Sequence, residues 1–417
     1  VAAGALAVVI FTSSSSLVSA KPTEAGRPEV IPGKYIVVFH DDVTDTDAVG
    51  QELALQHGLS IEHTYHSTLQ GFSGAVPAGK LEAIKNDSRV AFVSEDAVVA
   101  AYAKPAARGP ITPPAQLIST GIARIGSQAN TATGLGIGVA VIDTGIDLTH
   151  ADLAANVVAD TNCVNTRKSG NDDNGHGTHV AGTIAGLNNT INVVGVAPEA
   201  SLIAVKVLNS QGSGSWSEII CGLDWVTANA ATYNIQVVNM SLGGAGSSDD
   251  NCGLTNNETM HLAVCNTRDA GITIVVAAGN STVDTATQVP AAYDDAVITV
   301  SALADSDGSA NGLGTSTSYG ANDTFASFSN FGSEVDIAAP GVNIYSTWKS
   351  GGYSTISGTS MASPHVAAAA ALYSQSHPGS SWTQVRDGLS AAAEALNAGH
   401  TDPGGLHGEP LLQAATF

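Results

Sequence analysis

The chain has 417 residues, with 45 Gly, 5% aromatic residues, and 15 Lys+Arg set against 37 Asp+Glu for a formal net charge of −22. That length asks for two or more domains of about 100–200 residues, unless one is a large α/β body, and a hydrophobic share of 43% supports a true core. The acidity excludes nucleic acid as the expected partner, because a phosphate backbone has to be met by clustered Lys and Arg, and it argues against a polybasic hold on membranes.

Residues 1–20 join an apolar run, VAAGALAVVIF, to SSSS and the small-residue ending Val18-Ser19-Ala20, the pattern of a signal peptide truncated at its start. The run is about half the length a membrane-spanning helix needs, so export and a secreted, membrane-free protein are expected.

Residues 30–102 read as a small α+β unit. KYIVVFH predicts a strand; 45–57 has helical spacing at Val49 and Leu53 and stops at Gly58; SIEHTYH and QGFSGAVP predict two more strands, KLEAIKN a short helix and RVAFVSED a last strand. The order β-α-β-β-α-β is that of a ferredoxin-like split motif, and a unit this small gains from a surface to lean on. Residues 103–115, rich in Pro and Ala, predict an extended linker that a protease could cut.

From 116 to 417 short Val- and Ile-rich runs alternate with helical stretches. IGVAVID (137–143), SLIAVKVL (201–208), IQVVNMSL (235–242), ITIVVAAG (272–279) and AVITVSAL (296–303) predict strands buried on both faces of a parallel sheet. HGTHVAGTIAG, SEIICGLDWVTANAAT and ETMHLAVCNTRDAG predict helices between them. The fold class expected is a doubly wound, mostly parallel α/β domain preceded by the small α+β unit, with a site at the carboxyl ends of the strands.

Cys163, Cys221, Cys252 and Cys265 suit an oxidising compartment and allow three pairings. Proximity in sequence favours Cys252 with Cys265, leaving Cys163 with Cys221; buried free thiols are the competing reading.

Chemistry gathers at the strand ends. Asp143 closes one strand before Thr-Gly, His176 opens a helix in NGHGTHVAGT, Asn280 follows ITIVVAAG, and Ser360 lies in SGTSMASPHVAAAAAL at the start of an Ala-rich helix. A serine hydroxyl needs an adjacent base to become a nucleophile, and that base is usually a histidine oriented by a buried carboxylate. The Ser360 backbone N–H at a helix start and the Asn280 amide are two donors suited to a developing oxyanion. Each piece is common alone; all four in order, in these full strings, are not.

The strings VIDTGID, GHGTHVAGT, AAGN and GTSMASPHVA resemble those of subtilisin-like serine proteases, the subtilases, in precursor form, from about residue 30 nearly to Phe417. The resemblance implies that Asp143 orients the base, His176 is general base and then acid, Ser360 is the nucleophile and Asn280 steadies the oxyanion. It implies that SLGG, Ser241, Leu242, Gly243 and Gly244, and AAG, Ala277, Ala278 and Gly279, flank the cleft where protein or peptide substrates pair as an added strand with a large apolar or aromatic P1 side chain. The small unit becomes a propeptide that assists folding and blocks the cleft, and Ser360 is expected to cut within about 101–116.

The stretch LNNTINVVGVAP resembles a calcium loop, which implies structural calcium on Gln116, Asp152, Leu187, Asn189, Ile191 and Val193. Asp305, Asp307 and Asp323 form a second candidate calcium cluster. The other histidines, such as His150, His179, His261 and His365, are expected to be structural. A monomer is expected. Two other functions share the motifs: a non-catalytic binding protein, which would need a broken triad or a blocked cleft, and a peptide ligase on the same fold. From Gln116 onward 25 Asp+Glu face 7 Lys+Arg, about −18, far more than the sites use; the excess reads as a surface property suited to salt.

Overall fold

The computed structural model describes residues 26–103, 115–311 and 313–417; the expected signal segment at 1–20 and nearly all of the linker at 103–115 lie outside them. The first unit runs β1 (Val30–Phe39), α1 (Thr46–His57), β2 (Ser60–Tyr65), β3 (Gly71–Ala75), α2 (Leu81–Lys85) and β4 (Val90–Ala101), the order read from the sequence. Asp45 caps α1 by accepting from the Ala48 N–H, and Gly58 ends it in the left-handed region at φ 69°. Antiparallel pairing gives the strand order β2-β3-β1-β4, over a core of Phe39, Leu53, Phe72 and Ile84.

The second unit contains α3 (Thr120–Arg124), β5 (Gly138–Asp143), β6 (Val157–Asn162), α4 (His176–Ala185), β7 (Ser201–Lys206), β8 (Ser213–Ser215), α5 (Trp216–Tyr233), β9 (Ile235–Met240), β10 (Leu242–Ala245), α6 (Thr259–Asp269) and β11 (Thr273–Ala277). There follow β12 (Gln288–Val289), β13 (Ile298–Ala304), β14 (Thr324–Phe325), β15 (Ile337–Pro340), the hairpin β16 (Ile344–Trp348) and β17 (Gly352–Ile356), α7 (Thr359–Ser376) and α8 (Trp382–Ala392). The main sheet has the order β14-β13-β11-β9-β5-β7-β6, with β15 also on β13, and is parallel except at β14. Helices α4 and α7 cover one face and α5 and α6 the other, so every residue of β5 is buried and the strands carry apolar residues without alternation. Residues Ala367 to Ala371 are wholly buried, small enough to let α7 lie close on the sheet.

Strand order reverses between β5 and β9, which is where a doubly wound sheet opens a crevice. The strand expected over 235–242 stops at Met240 and resumes as β10, because Ser241 turns its polar groups to another task described below. The hairpin β16–β17, edge strand β6 and helix α8 are not apolar runs and were absent from the sequence reading.

Both expected disulfides are present, Cys163–Cys221 and Cys252–Cys265. Among the described residues no helix is long and apolar enough to cross a membrane.

The small unit rests on α5. Asp224 accepts from the backbone N–H groups of His66, Ser67 and Thr68 and from the Thr68 hydroxyl. At the other end Asp96 accepts from the Ser217 N–H (3.0 Å) and hydroxyl (2.6 Å) at the amino end of α5, and burial pushes its pKa up.

Candidate active site

The strands and helix starts bring Asp143, His176, Asn280 and Ser360 to the same crevice. Asp143 ends β5 fully buried, and its two carboxylate oxygens lie 2.8 and 2.9 Å from His176 Nδ1, with the Thr144 N–H donating to Oδ1 at 2.6 Å. Asp172 sets the start of α4, and so the position of His176, by accepting from the backbone N–H groups of Asn174, Gly175 and Thr178 and from the Thr178 hydroxyl. Burial opposes a charge on His176, but the Asp143 carboxylate, with Asp172 behind it, outweighs burial and holds the imidazole pKa above its ordinary value. Asp172 was not picked out from the sequence; an acid just before a helix start was its only signal.

Among the described residues His176 Nε2 is buried with no partner, and so is Asn280 Nδ2. The Asn280 amide cannot turn freely, since its Oδ1 accepts from the Thr359 N–H (2.9 Å) and the Thr359 hydroxyl (3.0 Å). Its Nδ2 therefore remains aimed as a donor beside the amino end of α7. Ser360, the second residue of that helix, does not bond His176 here: its hydroxyl donates to the Ser241 carbonyl at 2.9 Å. In return the Ser241 hydroxyl donates to the Ser360 carbonyl at 2.9 Å. That carbonyl is free because Pro364, four residues on, has no N–H to offer it. Asn239 Nδ2 donates to Ser241 Oγ, and the Ser363 hydroxyl donates to Asn239 Oδ1, closing a buried network behind Ser360.

The cleft holds the end of the small unit. Beyond its own sheet β4 enters between β8 and β10, pairing antiparallel with both, Val98 to Ser215 and Val99 to Gly214 on one side, Ala101 to Leu242 and Ala100 to Gly243 on the other. The Tyr102 N–H then donates to the Ser241 carbonyl at 3.3 Å. Its carbonyl oxygen crowds the space beside Gly358, where Asn280 Nδ2 also lies. The Tyr102 side chain fills a pocket with glycine on two sides: a methyl on Gly243 would fall 2.5 Å from its hydroxyl oxygen, while Gly279, beside the ring edge, is held to glycine by its φ of 106° and by Asn330 Nδ2, which a methyl would meet at 2.3 Å. Of the cleft residues expected, Leu242 and Gly243 pair with the strand, Gly244 pairs with Val289, and buried Ala277 and Ala278 lead to Gly279. The sequence reading missed β8, too short to leave a pattern, and Gln288, whose Oε1 accepts from the Tyr102 hydroxyl.

The residues expected to hold calcium are drawn together. Gln116 Nε2 donates to the Leu187 carbonyl at 2.8 Å, Asn189 Nδ2 donates to Asp152 Oδ1 at 2.8 Å, and residues flanking Gln116 bridge to Ile191 and Val193. Asp152 is fully buried and, among the described residues, no Lys, Arg or His reaches it as an ion-pair partner; its other oxygen accepts from the Tyr353 hydroxyl. A buried carboxylate met only by neutral groups, among amide and carbonyl oxygens, fits a hard cation.

The second cluster does not. Arg124, buried, places its guanidinium 3.2 Å from Asp305, 3.0 Å from Asp323 and 2.8 Å from Glu394, while Asp307 is exposed at the rim. The cation at Asp305 and Asp323 is an arginine, which corrects the reading of Asp305, Asp307 and Asp323 as calcium ligands.

Residues 134–407 match the subtilase family and residues 34–102 match the peptidase inhibitor I9 family. The chain is 36% identical to an extracellular serine proteinase of Thermus sp. (strain Rt41A), over 95% of each sequence. It is 43% identical to subtilisin DY of Bacillus licheniformis, over 64% of this chain and 88% of that protein. A solved cold-adapted subtilisin-like serine proteinase superposes with a TM-score of 0.58 at 36% identity, covering 71% of this chain and 97% of that one.

Proposed function

The chain belongs to the subtilase family of serine endopeptidases, and from that premise we propose that it is a secreted enzyme made as an inhibited precursor that cuts itself after Tyr102. The observation that carries this reading is the seat of Tyr102: substrate-like backbone pairing on both edges, a side chain in a glycine-walled pocket, and a carbonyl beside an unpartnered Asn280 Nδ2.

In this mechanism the Ser360 hydroxyl leaves the Ser241 carbonyl and attacks the carbonyl carbon of the P1 residue as His176 Nε2 takes its proton. Asp143 keeps the other imidazole nitrogen protonated and the ring oriented, and it stabilises the imidazolium that forms. The oxygen that gains charge is met by Asn280 Nδ2 and the Ser360 N–H, with the start of α7 behind them. His176 then protonates the leaving amine, which in the precursor is the nitrogen of Ala103. Water, activated by the same imidazole, releases the acyl group from Ser360.

Residues 30–102 act as the intramolecular inhibitor, residues 103–115 as the linker freed by the cut, and residues 116–417 as the peptidase domain. Calcium, when bound, would be held by Gln116, Asp152, Leu187, Asn189, Ile191 and Val193; it supplies positive charge to the buried Asp152 and ties the start of the mature domain to the loop after α4. Secretion through the segment 1–20 and action as a monomer on protein and peptide substrates complete the reading.

The test is chemical. A serine-directed fluorophosphonate should label the wild-type protein at Ser360, and Ser360→Ala should neither label nor hydrolyse casein. Casein hydrolysis by the variant at the wild-type rate would sink the assignment.

A further inference from the structure

The pocket that seats Tyr102 ends in an oriented hydrogen-bond acceptor. Gln288 Oε1 accepts from the Tyr102 hydroxyl at 3.3 Å. The amide is held by its other end, Nε2 donating to the Thr287 carbonyl at 2.8 Å, so an oxygen is presented to the pocket. Its mount is firm. Gln288 opens β12 and pairs with Ala245 of β10, the strand that also pairs with the substrate segment, and its carbonyl accepts from the Ala292 N–H at 2.8 Å. Gly243 and Gly279, which lie against the ring, bring no side chain of their own to it. Burial pushes the Tyr102 phenol pKa up, so the hydroxyl stays protonated and able to donate.

We infer that Gln288 is a specificity-determining residue that reads a hydroxyl at the far end of the P1 side chain, so that the enzyme favours Tyr over Phe or Leu at that position. The inference rests on the serine endopeptidase reading and adds to it the chemistry of the preferred substrate. A phenol gives the oriented oxygen its hydrogen; a phenyl ring of the same shape displaces water from that oxygen and returns nothing. Gln288 is only partly buried, so the discrimination is of the size of one neutral hydrogen bond, about threefold to tenfold in kcat/KM.

The experiment measures kcat/KM of the mature enzyme, obtained from the full precursor, on two peptides that differ only in P1 Tyr against P1 Phe. Wild type should prefer Tyr by about threefold to tenfold. Gln288→Met, close in shape but without the acceptor, should bring the ratio to about one, whereas Gln288→Glu, which keeps an acceptor, should retain a preference for Tyr. Equal rates on the two peptides with wild type, or a ratio that Gln288→Met leaves unchanged, would overturn the inference while leaving the peptidase reading intact. Failure to cleave either peptide, together with failure of the fluorophosphonate to label Ser360, would overturn both.

Discussion

Ser360 and Ser241 exchange hydrogen bonds, each hydroxyl donating to the other's backbone carbonyl at 2.9 Å. The exchange ties the first residue after β9 to the second residue of α7, so the wall of the cleft and Ser360 are fixed to each other. It exists because Pro364 withholds the helical N–H that would otherwise have taken the Ser360 carbonyl.

Ser241→Ala leaves that buried carbonyl without a donor and should cost about 1–3 kcal/mol of stability, read as a lower guanidinium midpoint. Adding Pro364→Ala restores a backbone N–H within the helix. The double variant should therefore be more stable than the sum of the two single changes predicts, and strict additivity would contradict the link.

Asn280→Ala removes one of two oxyanion donors while sparing substrate pairing on β8 and β10. The expected loss is about 10²–10³ in kcat, a magnitude taken from subtilisin itself, with KM little changed. A loss carried by KM instead would place Asn280 in substrate binding.

His176 has to be neutral to accept a proton, and its pKa is raised. The acid limb of kcat/KM should therefore lie above the ordinary histidine pKa of about 6.5, with a tenfold fall per pH unit below it. Asp172→Asn removes a charge that raises this pKa and should move the limb to lower pH. A limb that stays in place would show that the Asp172 charge does not reach the base.

Two other buried histidines titrate the opposite way. Burial lowers the pKa of His179 to about 3 and of His365 to about 4. Both stay neutral in the fold while the unfolded chain takes up protons below about pH 6.5, so their stabilising effect is present above that pH and lost as pH falls toward 3–4. The denaturant midpoint should drop between pH 7 and pH 5, and His365→Gln should make the drop shallower.

Calcium bound only by the folded chain stabilises it by mass action, about 2.7 kcal/mol at a hundredfold excess over Kd. EDTA should lower the thermal midpoint of the wild type. Asp152→Asn should start lower and respond little to EDTA, and an equal response in the two proteins would remove Asp152 from the site.

The sheet was legible because strands buried on both faces, such as β5 and β9, are continuous apolar runs that need no knowledge of their neighbours. The strings that meet at the crevice were legible for a related reason: Asp143, His176 and Ser360 each sit at the end of an element whose own pattern marks that end, and Asn280 comes three residues after β11. What escaped depends on distant pairing. β8 is three residues long and is a strand only because β4 lies beside it. The Asp305, Asp307 and Asp323 run looked like a cation site until Arg124, nearly 200 residues away, supplied the charge. Likewise β4 carries on past its own sheet into the cleft, and nothing in AVVAAY separates the part that folds with β1 from the part that pairs with β8 and β10.

The central claim is that Ser360 cuts the bond after the residue seated beside it, and the amino terminus of the protein tests it most directly. Mass spectrometry of the matured wild-type protein should find a chain beginning at Ala103, or trimmed from there within the linker, alongside a fragment ending at Tyr102. The Ser360→Ala precursor should keep the Tyr102–Ala103 bond intact. Maturation of that variant on its own, or a wild-type propeptide fragment ending elsewhere than Tyr102, would contradict the account.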